Sequence, residues 1–127
     1  MVNYFALGCG VHAIGAAGFS LLFPQLAFQL FFQPQYANIA VNDPFVQWLF
    51  AGVNVVVLGA GCGYASAAVF RGQRSIYIAG CMGKVLVALL FLLGLRAGYI
   101  TRFAMAVGVS DLILGILMAK KALASRS

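Results

Sequence analysis

Four long apolar runs, separated by short polar breaks, dominate the chain. The first runs from about Tyr4 to Phe23 and stops at Pro24. The second runs from about Val46 to Val69, before Arg71-Gly72-Gln73-Arg74. The third runs from about Ile76 to Leu95, before Arg96, and the fourth from about Phe103 to Ala119, before Lys120-Lys121. Each is close to the roughly 20 residues a helix needs to cross the hydrocarbon of a bilayer. Internal Gly and Pro do not argue against this, because membrane helices tolerate both. A transmembrane β-barrel would show alternating stretches of about ten residues, and these runs are continuous. The pattern predicts an all-α membrane protein: one four-transmembrane-helix bundle over residues 1–127, with a short interfacial helix between the first two spans.

That interfacial helix falls between Pro24 and Pro44. Gln25, Gln29 and Gln33 recur every four residues and line one helical face, while Leu26, Phe28, Leu30, Phe31 and Phe32 occupy the rest. Such a helix lies in the membrane interface with its rings toward the acyl chains. Phe28, Phe31, Phe32 and Trp48 are the interfacial candidates. The segment would serve as a cap over the bundle or a lid over a ligand entrance. Asn42-Asp43-Pro44 reads as the turn and N-cap that start the second span.

Composition agrees with the pattern. Hydrophobic residues make up 64% of the 127 and charged residues 8%, against about 25% charged in a soluble domain. The mean hydropathy is +1.02. Eight Lys and Arg against two Asp and Glu leave a net charge of +6. Apart from Lys84, the cations stand singly or in pairs at the ends of apolar runs, with no basic stripe, which excludes nucleic acid as a partner. Four crossings place Arg71, Arg74, Lys120, Lys121 and Arg126 on one side and Arg96 and Arg102 on the other. The positive-inside rule then puts both termini in the cytoplasm. Met1-Val2-Asn3-Tyr4 has no Lys or Arg, so it lacks the charged start of a cleaved signal peptide, and the first span is expected to be retained.

Glycines mark candidate helix contacts. Gly52, Val56, Gly59, Gly63 and Ser66 follow one face of the second span, and Gly8, His12, Gly15 and Phe19 one face of the first. Small residues four apart let helix backbones approach closely in lipid. Gly80 and Gly83 extend this role to the third span. These faces serve either the bundle itself or another subunit. Gly59-Ala60-Gly61-Cys62-Gly63 is not a nucleotide-binding turn, because no strand precedes it and the glycines sit inside an apolar helix.

Lys84 and Asp111 carry the most chemistry. Each lies mid-span, where an unpaired charge costs at least about 2.5 to 3.5 kcal/mol. Lys84 is eight residues from Ile76 and Asp111 eight from Ala119. At a rise of about 1.5 Å per residue both lie about 12 Å deep from the same side, so a direct pair is expected. His12 is eight residues from Tyr4 and falls in the same layer, and Ser110 adjoins Asp111. The layer reads as a structural ion pair, or as a proton relay or polar anchor for a ligand headgroup. Cys9, Cys62 and Cys81 have no paired metal-ligand spacing and read as small apolar packing residues. The acids are Asp43 and Asp111, so there is no catalytic carboxylate pair and no Ser/His/Asp set. No metal site and no cofactor are evident.

Several stretches together carry a family resemblance. They are Leu22-Phe23-Pro24, Leu30-Phe31-Phe32, Trp48-Leu49-Phe50-Ala51-Gly52, Gly61-Cys62-Gly63-Tyr64, Gly80-Cys81-Met82-Gly83-Lys84 and Ser110-Asp111. The chain resembles the small four-helix bacterial membrane proteins grouped as DoxX-like, which carry a Gly-Lys in helix three and a Gly-Asp in helix four. Here Ser110 stands where that glycine would be. The resemblance implies a four-helix bundle in a bacterial inner membrane, and some members are linked to thiosulfate and quinone oxidation.

Three functions fit these features. The first is a non-catalytic accessory or assembly subunit of a larger membrane complex, docked on a partner or a second copy. The second is a binder or carrier of a small lipophile, a quinone or lipid, with Lys84, Asp111 and His12 as polar contacts. The third is a redox-linked membrane component. Membrane lipids are partners in every case.

Overall fold

The computed structural model describes residues 2–70 and 74–124. Its elements are α1 (Tyr4–Leu22), α2 (Pro24–Phe31), α3 (Pro34–Asn42), α4 (Pro44–Val69), α5 (Arg74–Arg96) and α6 (Arg102–Ala124). The long helices α1, α4, α5 and α6 are each long and apolar enough to cross a membrane. The fold is an all-α membrane bundle. Arg71 and Arg126, which enter the charge asymmetry, lie outside the described residues.

The three prolines explain how the first half is segmented. Pro24, Pro34 and Pro44 each open a helix, where the missing N–H costs nothing and φ is already helical. The expected interfacial helix is therefore two short helices, α2 and α3, joined by an elbow at Phe32-Gln33. Asp43 caps α4 as the sequence suggests, its carboxylate accepting from the N–H groups of Phe45 and Val46 at 2.9 and 3.3 Å. At its far end α6 continues past Lys120-Lys121 to Ala124. Lys121 sits in its last turn with its ammonium 5.8 Å from the Phe5 ring, and a cation there suits the helix dipole.

The long helices form two tight pairs, α1 with α4 and α5 with α6. In the first pair the contact is nearly backbone to backbone. A Cβ at Gly10 would stand 2.9 Å from the Ala65 nitrogen, and one at Gly61 2.9 Å from the Ile14 nitrogen. In the second pair Gly108 lies under Phe91 and Gly115 under Lys84.

The two pairs are tied together at both ends. At the end carrying the chain termini, a core of Ala6, Cys9, Ala13, Tyr64, Ala67, Ala68, Tyr77, Met118 and Ala122 draws on all four spans. Asn3 reinforces it: its backbone N–H donates to the Ala68 carbonyl at 2.8 Å, and its side-chain amide donates to the Tyr77 hydroxyl. At the opposite end the α2–α3 elbow is clipped to the α5–α6 turn. The Gln33 N–H donates to the Tyr99 carbonyl and the Thr101 N–H to the Phe31 carbonyl, both at 2.9 Å. The Gln33 side chain donates to the Ile100 carbonyl at 3.0 Å, and the Thr101 hydroxyl to the Leu30 carbonyl. Gly98 makes the turn possible. It takes φ +77°, and the Tyr99 N–H donates back to the Gly94 carbonyl at 2.9 Å, a glycine-terminated helix end.

This clip changes the reading of the aromatic segment. Phe28 is 1% exposed and packs on Phe50 with ring centroids 4.6 Å apart. Phe31 is half-buried against Phe91 and Phe103, and Phe32 against Phe28 and Phe50. These rings turn into the protein rather than toward acyl chains. The reason is the elbow, which folds α2 and α3 over the bundle mouth and gives the rings protein to pack against. Trp48, by contrast, is 69% exposed and stacks beside the exposed Phe45.

Candidate functional site

The site is built where the second pair comes closest. Gly108 and Gly115 stand three residues before and four after Asp111, on the same face of α6. Without side chains there, α5 approaches so closely that a Cβ on Gly115 would lie 3.2 Å from the Lys84 Cβ. Lys84 Nζ donates to Asp111 Oδ1 at 2.6 Å. The two side chains are 10% and 15% exposed, so the pair is enclosed. Each charge neutralises the other where lipid could not solvate either.

The first pair contributes two further polar groups. Cys9 of α1 and Tyr64 of α4 are both buried, in the core that they share with Met118. The Tyr64 hydroxyl also rests on Gly80 of α5, where a Cβ would stand 2.8 Å from it and 2.7 Å from the Met118 sulfur. The Tyr64 hydroxyl therefore reaches α5 about one helical turn before Lys84. Among the described residues, no three His, Cys, Asp or Glu side chains are grouped to hold a metal ion.

Two residues expected in this layer make no hydrogen bond to the ion pair. His12 is exposed on the side of α1 turned away from α4, so it stands apart from Lys84. Its depth follows from the helix rise, but its direction follows from the packing of Gly10 on α4, which points position 12 outward. Ser110 is half-buried, and its hydroxyl donates to the Val107 carbonyl at 2.7 Å. That local bond satisfies it within its own helix.

The glycines divide the same way. Gly80 is tightly enclosed, as expected of a packing residue. Gly8, Gly15, Gly52, Gly59, Gly63 and Gly83 have nothing within 4 Å of where a Cβ would stand, so they take no part in contacts within this chain. The packing is made instead by Gly10, Gly61, Gly108 and Gly115. A signal for them was present in the sequence. Ala6, Gly10, Ala13 and Ala17 form a small-residue face on α1, and Gly61, Ala65 and Ala68 form one on α4. The more regular Gly52-Gly59-Gly63 series masked it.

Tyr64 was missed as a buried polar contact between α4 and α5, because it carries no charge to mark it. Of the three cysteines, Cys9 is core, Cys81 is half-buried and Cys62 faces outward; all are free thiols. With this geometry in hand, comparison with protein-family models, curated proteins and solved structures finds no match to the chain.

Proposed function

We propose that the protein is a non-catalytic accessory or assembly subunit of a larger membrane complex, and that it docks through the outer face of α4. One observation carries this reading. Gly52, Gly59 and Gly63 lie on the side of α4 turned away from α1, with open space above each. The helix contacts inside the chain use other glycines, so this face has no role in its own fold. In lipid, association is driven by close packing rather than by apolar burial, and small residues are what permit it. A glycine face left open to lipid therefore suits a partner helix.

The Lys84–Asp111 pair acts here as a brace that sets the angle of α5 on α6. The setting we propose is a bacterial inner membrane with both termini cytoplasmic, on the charge asymmetry and the DoxX-like resemblance. The test is isolation from native membranes in mild detergent. The protein should migrate with a larger assembly, and Gly59→Leu should release it while leaving its own helix content unchanged. Migration of the wild type as a lone small species would defeat the reading.

A second reading has its own observation. A shallow depression at the α1–α2 corner is lined by Leu22, Phe23, Pro24, Leu26, Gln25 and Gln29. Apolar walls with two amides suit a small lipophile such as a quinone or a lipid. Mass spectrometry of the purified protein would reveal a retained lipophile, and Gln29→Leu should lower its occupancy.

A further inference from the structure

We infer that two copies of this chain associate through α1, with His12 of each copy hydrogen-bonding His12 of the other. The inference concerns α1 and is independent of the accessory role assigned to α4.

The starting point is where His12 lies. α1 runs from Tyr4 to Leu22, so its midpoint is Ala13 and His12 is one residue away. If α1 spans the bilayer, His12 sits near the middle of the hydrocarbon. It is exposed, and it has no hydrogen-bond partner among the described residues. Lipid tails offer no donor or acceptor, so a polar side chain at that depth requires protein around it. Lys and Arg escape by reaching for the headgroups, but an imidazole at the midplane is too short to do so.

The surface around His12 is shaped to receive a helix. Gly8 precedes it by four residues and Gly15 follows by three, and both have open space where a side chain would stand. This face points away from α4, which packs against Gly10 and Ala13. It is therefore free for a second helix to lie along.

The chemistry of His12 selects that second helix. A neutral imidazole carries one N–H donor and one bare nitrogen acceptor. Its partial charges are thus complementary to those of another imidazole. Two copies inserted in the same orientation hold His12 at the same depth whatever their rotation. A two-fold axis along the membrane normal then brings the two rings together, flanked by Gly8 and Gly15 of both copies. Such an isologous contact closes on itself and yields a dimer. The chain contains one histidine, so this pair is specific to α1.

The experiment uses the full-length protein, purified and reconstituted in phosphatidylethanolamine/phosphatidylglycerol liposomes. Donor- and acceptor-labelled copies are mixed, and energy transfer is followed as the protein is diluted in lipid. The wild type should pair at a dilution-dependent level. His12→Leu should weaken pairing about tenfold, the upper range for one interhelical polar contact in lipid. His12→Asn, which keeps a donor and an acceptor, should retain most of it, and Gly15→Leu should abolish it by filling the contact. Each variant faces outward and should keep the wild-type circular dichroism. A wild type that shows no transfer at any dilution overturns the inference, as does a His12→Leu variant that pairs like the wild type. A monomer carrying a lipophile that His12→Leu releases also overturns it, and assigns the face to that ligand. Native-membrane copurification is unaffected by any of these results, so this inference and the accessory role fail separately.

Discussion

The Lys84 ammonium lies 2.6 Å from Asp111 Oδ1, and Gly108 and Gly115 on either side of Asp111 bring α5 near enough for that contact. The pair joins adjacent, antiparallel helices, and removing one partner strands the other. In soluble cores such stranding costs about 3 to 5 kcal/mol, whereas interhelical polar contacts in membranes average about 0.6 kcal/mol. Lys84→Met and Asp111→Asn should each lose about 1 to 3 kcal/mol, and the double variant should recover part of that. A double-mutant cycle of stability in bicelles is the measurement. Simple addition of the two losses would show that the residues do not interact.

The glycines separate fold from surface. Gly61→Ala would press a methyl group against the backbone of α1, with its Cβ 2.9 Å from the Ile14 nitrogen. Overpacking of this kind costs about 1 to 3 kcal/mol. Gly59→Ala meets nothing, and should be neutral or slightly stabilising through helix propensity, by up to about 1 kcal/mol. Thermal unfolding of the two variants in the same detergent should give opposite or clearly unequal shifts. Equal shifts would mean that α1 and α4 do not pack at Gly61.

The clip between the elbow and the α5–α6 turn includes the Thr101 hydroxyl, which donates to the Leu30 carbonyl and accepts from the Ala104 N–H. Thr101→Val keeps the shape and removes both bonds. The expected loss is about 1 to 2 kcal/mol, from one cap and one hydrogen bond. Amide hydrogen exchange should rise in α2 and α3 and leave the α1–α4 contact unchanged. Thr101→Ser should behave like the wild type. Unchanged exchange in α2 and α3 would show that the Thr101 hydroxyl does not help to hold the elbow.

The proposed orientation rests on the distribution of Lys and Arg. Reporter fusions after residue 40 and at the C-terminus should place the former outside and the latter in the cytoplasm. A C-terminus found outside would reverse the whole assignment, including which end the α2–α3 cap covers.

The sequence by itself determined the four spans and the level of Lys84 with Asp111. Continuous apolar runs set the long helices, Asp43-Pro44 marked the start of α4, and a constant rise per residue put Lys84 level with Asp111, whereas the break at Pro34 that splits the expected single interfacial helix was not read from it. What it could not determine was rotation about each helix axis. In water, a helix shows its inner face by contrast with a polar outer one. In lipid both faces are apolar, so Gly8, Gly15, Gly52, Gly59 and Gly63 look as much like core as Gly10 and Gly61. Tertiary structure decided between them: the Gly10–Gly61 contact turned the regular glycine series and His12 outward, and Cys9 and Tyr64 into the core. It also turned Phe28 inward, because the elbow at Phe32-Gln33 folds α2 onto Phe50, a contact between residues 22 apart in the chain that no local pattern encodes.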